Sequence, residues 1–197
     1  MILAAGLTPA WQQILRFERL RWGEVNRAAE AAWCASGKVL NVGTALATLR
    51  VPAVTLSPVG GLPASAIEQE FRALDAKAAW IPTAGATRVC TTVLDDATMA
   101  TTELVENAAG LAPHELRSFA DEYCELIAHA QAVVLTGSLP AGTPTTFYRD
   151  LLAIRAVPAI IDARGPELLA ALEMRPLVVK PNREELERTL GESLRSD

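Results

Sequence analysis

"AVVLTGSLP", residues 132–140, is a near-continuous apolar run that ends in a Thr-Gly-Ser turn and a proline. No polar position alternates with the apolar ones, which is the pattern of a strand buried on both faces. The same pattern recurs in both directions along the chain. "MILAAGL" (1–7) and "VPAVTLSPV" (51–59) precede it, and "VPAIIDARG" (157–165) and "PLVVKPN" (176–182) follow it. Between these runs the spacing of apolar residues predicts helices over about 40–50, 64–73, 113–129, 143–155, 166–173 and 182–190. The one at 113 has Pro113 in its first turn and Glu115 just inside, with Leu116, Phe119, Tyr123 and Leu126 on roughly one face. Strand, helix, strand in this order implies an α/β fold: a doubly wound, mainly parallel sheet with helices on both faces.

Two segments depart from that rhythm. Residues 10–28, "AWQQILRFERLRWGEVNRA", and 85–106, "GATRVCTTVLDDATMATTELVE", show alternation and Thr/Val enrichment, with a polar turn at Asp95-Asp96 in the second. They read as extended strands outside the main sheet, a small β lid over one edge. Trp11, Phe17 and Trp22 are expected to be exposed on it, either pairing with a second copy of the lid in a homodimer or capping the core.

A chain of 197 residues, half of them hydrophobic, can bury one substantial core, so a single domain spanning 1–197 is expected. The 18 basic against 23 acidic residues leave a net charge of −5, which offers no general attraction for nucleic acid or an anionic membrane. Cys34, Cys90 and Cys124 are widely spaced and form no CxxC pair, which suggests neither a disulfide framework nor a zinc site and fits a reducing cytoplasm. The opening run lacks a basic stretch before it and is too short to span a bilayer, so it reads as the first strand of the sheet and not a leader.

Ligands of open α/β sheets gather beyond the carboxyl ends of the strands. That rule selects Thr8-Pro9, Ser36-Gly37-Lys38, Thr136-Gly137-Ser138, Asp162 and Lys180-Pro181-Asn182. Each is also ordinary turn or helix-cap chemistry. Ser36-Gly37-Lys38 is not a Walker loop, because Val39 follows the lysine and no glycine stands five residues before Gly37. His114 and His129 lie on one predicted helix, fifteen residues apart, and do not form a metal pair. Ser138 lacks the GxSxG elbow of a hydrolase nucleophile.

Taken together, "GEVNRA" (23–28), "SGKVLNV" (36–42), "TR" (87–88), "TELVEN" (102–107), "LTGSLPAGTPTTFYRDLL" (135–152) and "VKPNREELERTLG" (179–191) resemble the ribokinase/PfkB carbohydrate kinases. The likeness is greatest to the branch of 1-phosphofructokinase and tagatose-6-phosphate kinase, and it covers essentially the whole chain. It implies a ribokinase-like core with a β lid. It also implies transfer of the γ-phosphoryl group of ATP to a sugar phosphate such as fructose 1-phosphate, fructose 6-phosphate or tagatose 6-phosphate, with Mg²⁺.

By this resemblance, Ser36, Gly37, Lys38 and Asn41 occupy the family's sugar loop, and Arg88 matches the arginine that holds the sugar's existing phosphate. Glu103 and Ser138 fall in further acceptor-side motifs. Lys180, Asn182 and Glu185 match the Lys-Pro-Asn-x-x-Glu nucleotide segment, in which Glu185 acts on Mg²⁺ through water and Asp162 assists. Gln12 stands where the family has a sugar-binding carboxylate, which is expected to weaken hydroxyl recognition, since charged hydrogen bonds are about twice as strong as neutral ones. Ser36 and Val39 stand where the loop has glycines, and Val39 is expected to add bulk against the ligand. The family's Gly-Ala-Gly-Asp motif, with its anion hole and base, does not occur in residues 1–197. The expectation is therefore either a kinase whose catalytic C-terminal part lies outside these residues, or an inactive sugar-phosphate- or nucleotide-binding relative.

Overall fold

The computed structural model describes residues 1–194. In chain order the elements are β1 (Ile2–Ala5), β2 (Ala10–Phe17), β3 (Glu30–Ser36), α1 (Lys38–Thr48), β4 (Ala53–Gly60), α2 (Gly61–Ala73), β5 (Ala78–Thr83) and β6 (Arg88–Asp95). They continue with β7 (Ala100–Val105), α3 (Pro113–Ile127), β8 (Ala132–Thr136), α4 (Phe147–Ile154), β9 (Ala159–Asp162), α5 (Gly165–Leu172), β10 (Val178–Val179) and α6 (Arg183–Leu190). The apolar runs become a six-stranded parallel sheet in the order β10-β9-β8-β1-β4-β5, and the fold is the doubly wound α/β architecture expected. β1 lies inside the sheet, between β4 and β8, with Leu3 opposite Val54 on one side and Val133 on the other.

Two apolar clusters flank the sheet. The larger joins Leu3, Leu56, Leu135 and Ile161 of the strands to Phe119, Tyr123 and Ile127 of α3 and to Tyr148 and Leu151 of α4. The smaller joins Val39 and Leu40 of α1 to Ile67 and Phe71 of α2. On α3 the buried stripe is Glu115, Phe119, Tyr123 and Ile127, four residues apart, while Leu116 and Leu126 pack only at its margin. Glu115 is 4% exposed and accepts hydrogen bonds from the Ala84 and Ala112 N–H groups, each at 2.7 Å. Those two bonds hold its pKa below the ordinary carboxylate value. The stability they contribute is present above that ordinary value and is lost as pH falls through the folded one.

β5, "AAWIPT", has no counterpart among the strands expected from the sequence. Its Pro82 lies on an edge strand, the position where a residue without a backbone N–H is tolerated. The lid is a separate four-stranded sheet, β3-β2-β6-β7. Only 10–17 of the segment 10–28 is strand. Beyond it the Asn26 side chain accepts from Arg21 N–H and donates to the Arg21 and Glu24 carbonyls, which folds 18–29 into a loop, and the second strand begins at Glu30. Of the three lid aromatics expected to be exposed, two are corrected. Phe17 is buried, and Trp11 is half-buried and stacked on Trp33 with ring centroids 6.0 Å apart. Trp22 is exposed, as are Val25, Met99, Leu104 and Val105. No helix among the described residues is long and apolar enough to cross a membrane.

Candidate active site

The strand ends of β1, β8 and β9 open onto one cleft of about 450 Å³ beneath the lid. Gly37 forms its floor, with φ 86 and ψ 149, a conformation essentially restricted to glycine. A Cβ there would lie 2.7 Å from the Thr8 carbonyl oxygen, so the turn after β1 can pass directly beneath the start of α1. Gly37 is followed at once by Lys38, the first residue of α1, whose N-terminal N–H groups have no side-chain cap. Val39 turns the other way. It is a helical residue 1% exposed in the α1–α2 core, so it adds no bulk at the ligand and carries no positive φ, and the expectation for it is withdrawn.

The cleft brings together Gln12, Ser36, Gly37, Lys38, Asn41, Arg88, Glu103, Ser138 and Glu185 from both layers of the molecule. Asp162 lies just behind this lining and reaches it through Lys38. Lys180 is exposed, its ammonium 3.8 Å from Asp162 Oδ2. Asn182 is a helix cap: its Oδ1 accepts from Glu185 N–H at 2.8 Å, while Glu185 Oε2 accepts from Asn182 N–H at 3.0 Å. Asn182 acts on the cleft by aiming Glu185 into it.

Lys38 is the electrostatic centre. Its Nζ donates to Asp162 Oδ1 at 2.8 Å and to Glu185 Oε1 at 2.7 Å, tying α1 to β9 and α6. The carboxylates are 14% and 13% exposed, against 39% for the lysine side chain. Burial alone would lower the Lys38 pKa, but the hydrogen bonds and charges of Asp162 and Glu185 outweigh it and leave it raised. For Glu185 burial pushes upward, and the bonds from Lys38 and Asn182 together with the charges of Lys38 and Arg164 prevail, holding it below the ordinary carboxylate value.

From the lid, Arg88 donates to Pro9 O at 3.3 Å, Thr8 O at 3.2 Å and Glu106 O at 3.2 Å. A guanidinium has five N–H donors, so two are left to face the cleft. Gln12 pairs with Cys34 on one side and Cys90 on the other, and its amide Nε2 donates to Thr92 Oγ1 at 2.8 Å. The Gln12 carbonyl oxygen has no hydrogen-bond partner among the described residues and is free to accept one. Glu103 stands opposite Thr92 on the same face of the lid.

Residues 10–197 match the family model described as pfkB family carbohydrate kinase. The chain belongs to the PfkB family. Solved structures share its fold. Phosphofructokinase-2 from Escherichia coli in its tetrameric inhibited form aligns with a TM-score of 0.88 at 24% identity, covering 99% of this chain and 65% of that one. The same enzyme in complex with fructose-6-phosphate aligns at 0.87, with 24% identity, 100% of this chain and 66% of that one. A Thermotoga maritima protein described as a possible 1-phosphofructokinase reaches 0.90 at 23% identity, with 100% and 65% covered. The PfkB chain thus spans just under two thirds of the length of these structures.

Among the described residues of this PfkB chain no three His, Cys, Asp or Glu side chains form a metal cage. Asp162 and Glu185, both within hydrogen-bond reach of one ammonium, suit the alternative: a hydrated Mg²⁺ that takes one or two carboxylates plus phosphate oxygens. Thr8 was already selected by the strand-end rule, whereas Cys90, Thr92 and Arg164 at or beside the cleft were not assigned a role from sequence. Arg164 does carry a signal, since it stands two residues beyond Asp162, the carboxyl end of β9.

Proposed function

We propose that this chain is the acceptor- and metal-binding part of an ATP-dependent kinase acting on a phosphorylated ketohexose. The observation that supports it most is the convergence of Arg88 and Lys38 with the Asp162/Glu185 pair in one cleft. Arg88 holds the phosphate the sugar already carries, a planar fork suited to bidentate binding. Ser36, Asn41, Ser138 and the free amide carbonyl of Gln12 bind sugar hydroxyls, and Glu103 closes the acceptor from the lid. ATP lies on the α6 side, near Lys180. Mg²⁺ held by Glu185 through water, with Asp162, would neutralise charge on the transferred phosphoryl group. Lys38, from the same stretch as Ser36 and Asn41, stands on the acceptor side, its ammonium held between Asp162 and Glu185.

Calorimetry tests the acceptor assignment. The chain is expected to bind fructose 6-phosphate more tightly than fructose, and Arg88→Ala is expected to lose about 1.5–3 kcal/mol of that affinity, roughly ten- to hundred-fold. Equal affinity for fructose, or an unaffected Arg88→Ala, would remove the assignment. A second reading, a sugar-phosphate- or nucleotide-binding relative without turnover, is favoured by the amide of Gln12, which recognises a hydroxyl more weakly than a carboxylate does. ADP release that needs both the sugar phosphate and Glu185 supports the kinase. Binding of both ligands without ADP release is expected of residues 1–197 under either reading, because the Gly-Ala-Gly-Asp motif is not among them, and a reading frame that continues past Asp197 into that motif would decide for the kinase.

The exposed apolar side chains of the lid, Trp22, Val25, Met99 and Leu104, are proposed to pair with a second copy. Sedimentation at micromolar concentration is expected to show a dimer that Trp22→Glu with Leu104→Glu dissociates, and a parent that sediments as a monomer would reject the pairing.

A further inference from the structure

Three cations line the cleft: Lys38, Arg88 and Arg164. The first two are partly engaged. Lys38 is shared by two carboxylates, and Arg88 is spread over three backbone carbonyls. Arg164 has no hydrogen-bond or ion-pair partner among the described residues, although it projects into a space that also contains Glu185 and Ser138. Its backbone is firmly placed. It is the N-cap of α5, and the next residue, Gly165 (φ 63), donates its N–H to Thr189 Oγ1 at 2.7 Å. Thr189 in turn donates to Glu185 O at 2.6 Å, so the turn that carries Arg164 is tied to the helix that carries Glu185.

An unengaged guanidinium in a cleft, with all five donors available, is a ready phosphate ligand. The question is which phosphate. Arg88 reaches the cleft from the lid strand β6, while Arg164 arrives from the β9–α5 turn, next in sequence to Asp162 and Ala163 and joined to α6. The two are carried by different layers and suit two different phosphate groups. We propose that Arg164 binds the polyphosphate of the nucleotide donor, on the side of the cleft where Asp162 and Glu185 stand. This rests on the kinase reading above and adds a residue to it. The side chain supplies a counter-charge that the Lys38 ammonium cannot, because that ammonium is already divided between two carboxylates.

Titration calorimetry with the 197-residue chain, using the β,γ-imido analogue of ATP with Mg²⁺ in one arm and fructose 6-phosphate in the other, tests the assignment. Arg164→Ala is expected to weaken the nucleotide analogue about ten-fold or more, with fructose 6-phosphate affinity and thermal melting unchanged. Arg164→Lys is expected to recover only part of the loss, because an ammonium is a point charge without the planar fork. Nucleotide affinity equal to that of the parent in Arg164→Ala overturns the inference and leaves the kinase reading standing. Loss confined to fructose 6-phosphate overturns it too, by moving Arg164 to the acceptor. A parent chain that binds neither ligand removes the kinase reading and this inference with it.

Discussion

Lys38→Met is expected to destabilise the chain by about 3 kcal/mol at pH 7 and to abolish measurable fructose 6-phosphate binding. Removing one partner of a buried ion pair costs about 3–5 kcal/mol, because the remaining charge stays desolvated and unpaired. Here two carboxylates, 14% and 13% exposed, lose their common cation, while the 39% exposure of Lys38 brings solvent screening that places the effect at the lower end. The pH dependence identifies the cause. Glu185 has a lowered folded pKa, so its contribution in the parent is present above its ordinary value of 4.5 and fades as pH falls through the folded value. Lys38 has a raised one, so its contribution is present below its ordinary 10.5 and fades as pH rises through the folded value. Parent and variant should therefore differ most between those limits and converge only once pH has fallen below the folded value of Glu185. Adding Glu185→Gln to Lys38→Met should return part of the lost stability, since it removes one of the stranded charges. Urea denaturation from pH 7 down to the acid limit of the folded chain decides the matter: a gap that keeps the same size throughout would show that Lys38 stabilises through its methylene packing, and the ion-pair account would fall.

The parallel sheet was legible because its strands are buried on both faces, and continuous runs such as "AVVLTGSLP" have few other readings. β5 was not read as a strand, and that its Pro82 is tolerated follows from its edge position, a property of topology. The lid was legible as extended chain, but its boundaries depended on the Asn26 side chain closing a loop on the Arg21 backbone, a contact that composition does not report. The cleft followed from the rule that ligands gather at strand carboxyl ends, which placed Ser36, Gly37, Lys38 and Ser138 near one another without knowledge of distances. What that rule could not supply was pairing. That Lys38 lies between Asp162 and Glu185, residues far apart in sequence, and that Asn182 is engaged as a cap, are outcomes of tertiary packing. Val39 shows the same limit: placed beside the sugar loop by sequence position, it is turned into the core by the first turn of α1.

Gly37→Ala is expected to destabilise the chain by about 3 kcal/mol or more and to remove sugar-phosphate binding, although it adds only one methyl group. Two independent costs meet at this residue. Its φ of 86 and ψ of 149 lie in a region that L side chains avoid, worth about 1–3 kcal/mol of strain. The new Cβ would also lie 2.7 Å from Thr8 O, 3.1 Å from Ala10 N and 3.1 Å from Pro9 Cα. These are backbone atoms, which cannot rotate aside as a flexible side chain can, and overpacking of this kind costs about 1–3 kcal/mol. The displaced segment carries function. Thr8 O and Pro9 O are two of the three carbonyls that hold Arg88, and Ala10 opens the strand that carries Gln12. Moving that turn shifts the phosphate-binding arginine and the hydroxyl-binding amide together. Gly142 supplies the control, since it also has positive φ, 83, but a Cβ there would meet nothing within 4 Å. Gly142→Ala should therefore cost about 1 kcal/mol from conformation alone and leave fructose 6-phosphate affinity as it is. If the two variants melt at the same temperature and bind equally, the close passage of the β1–β2 turn beneath Gly37 does not position the site, and the floor of the cleft must be assigned to other residues.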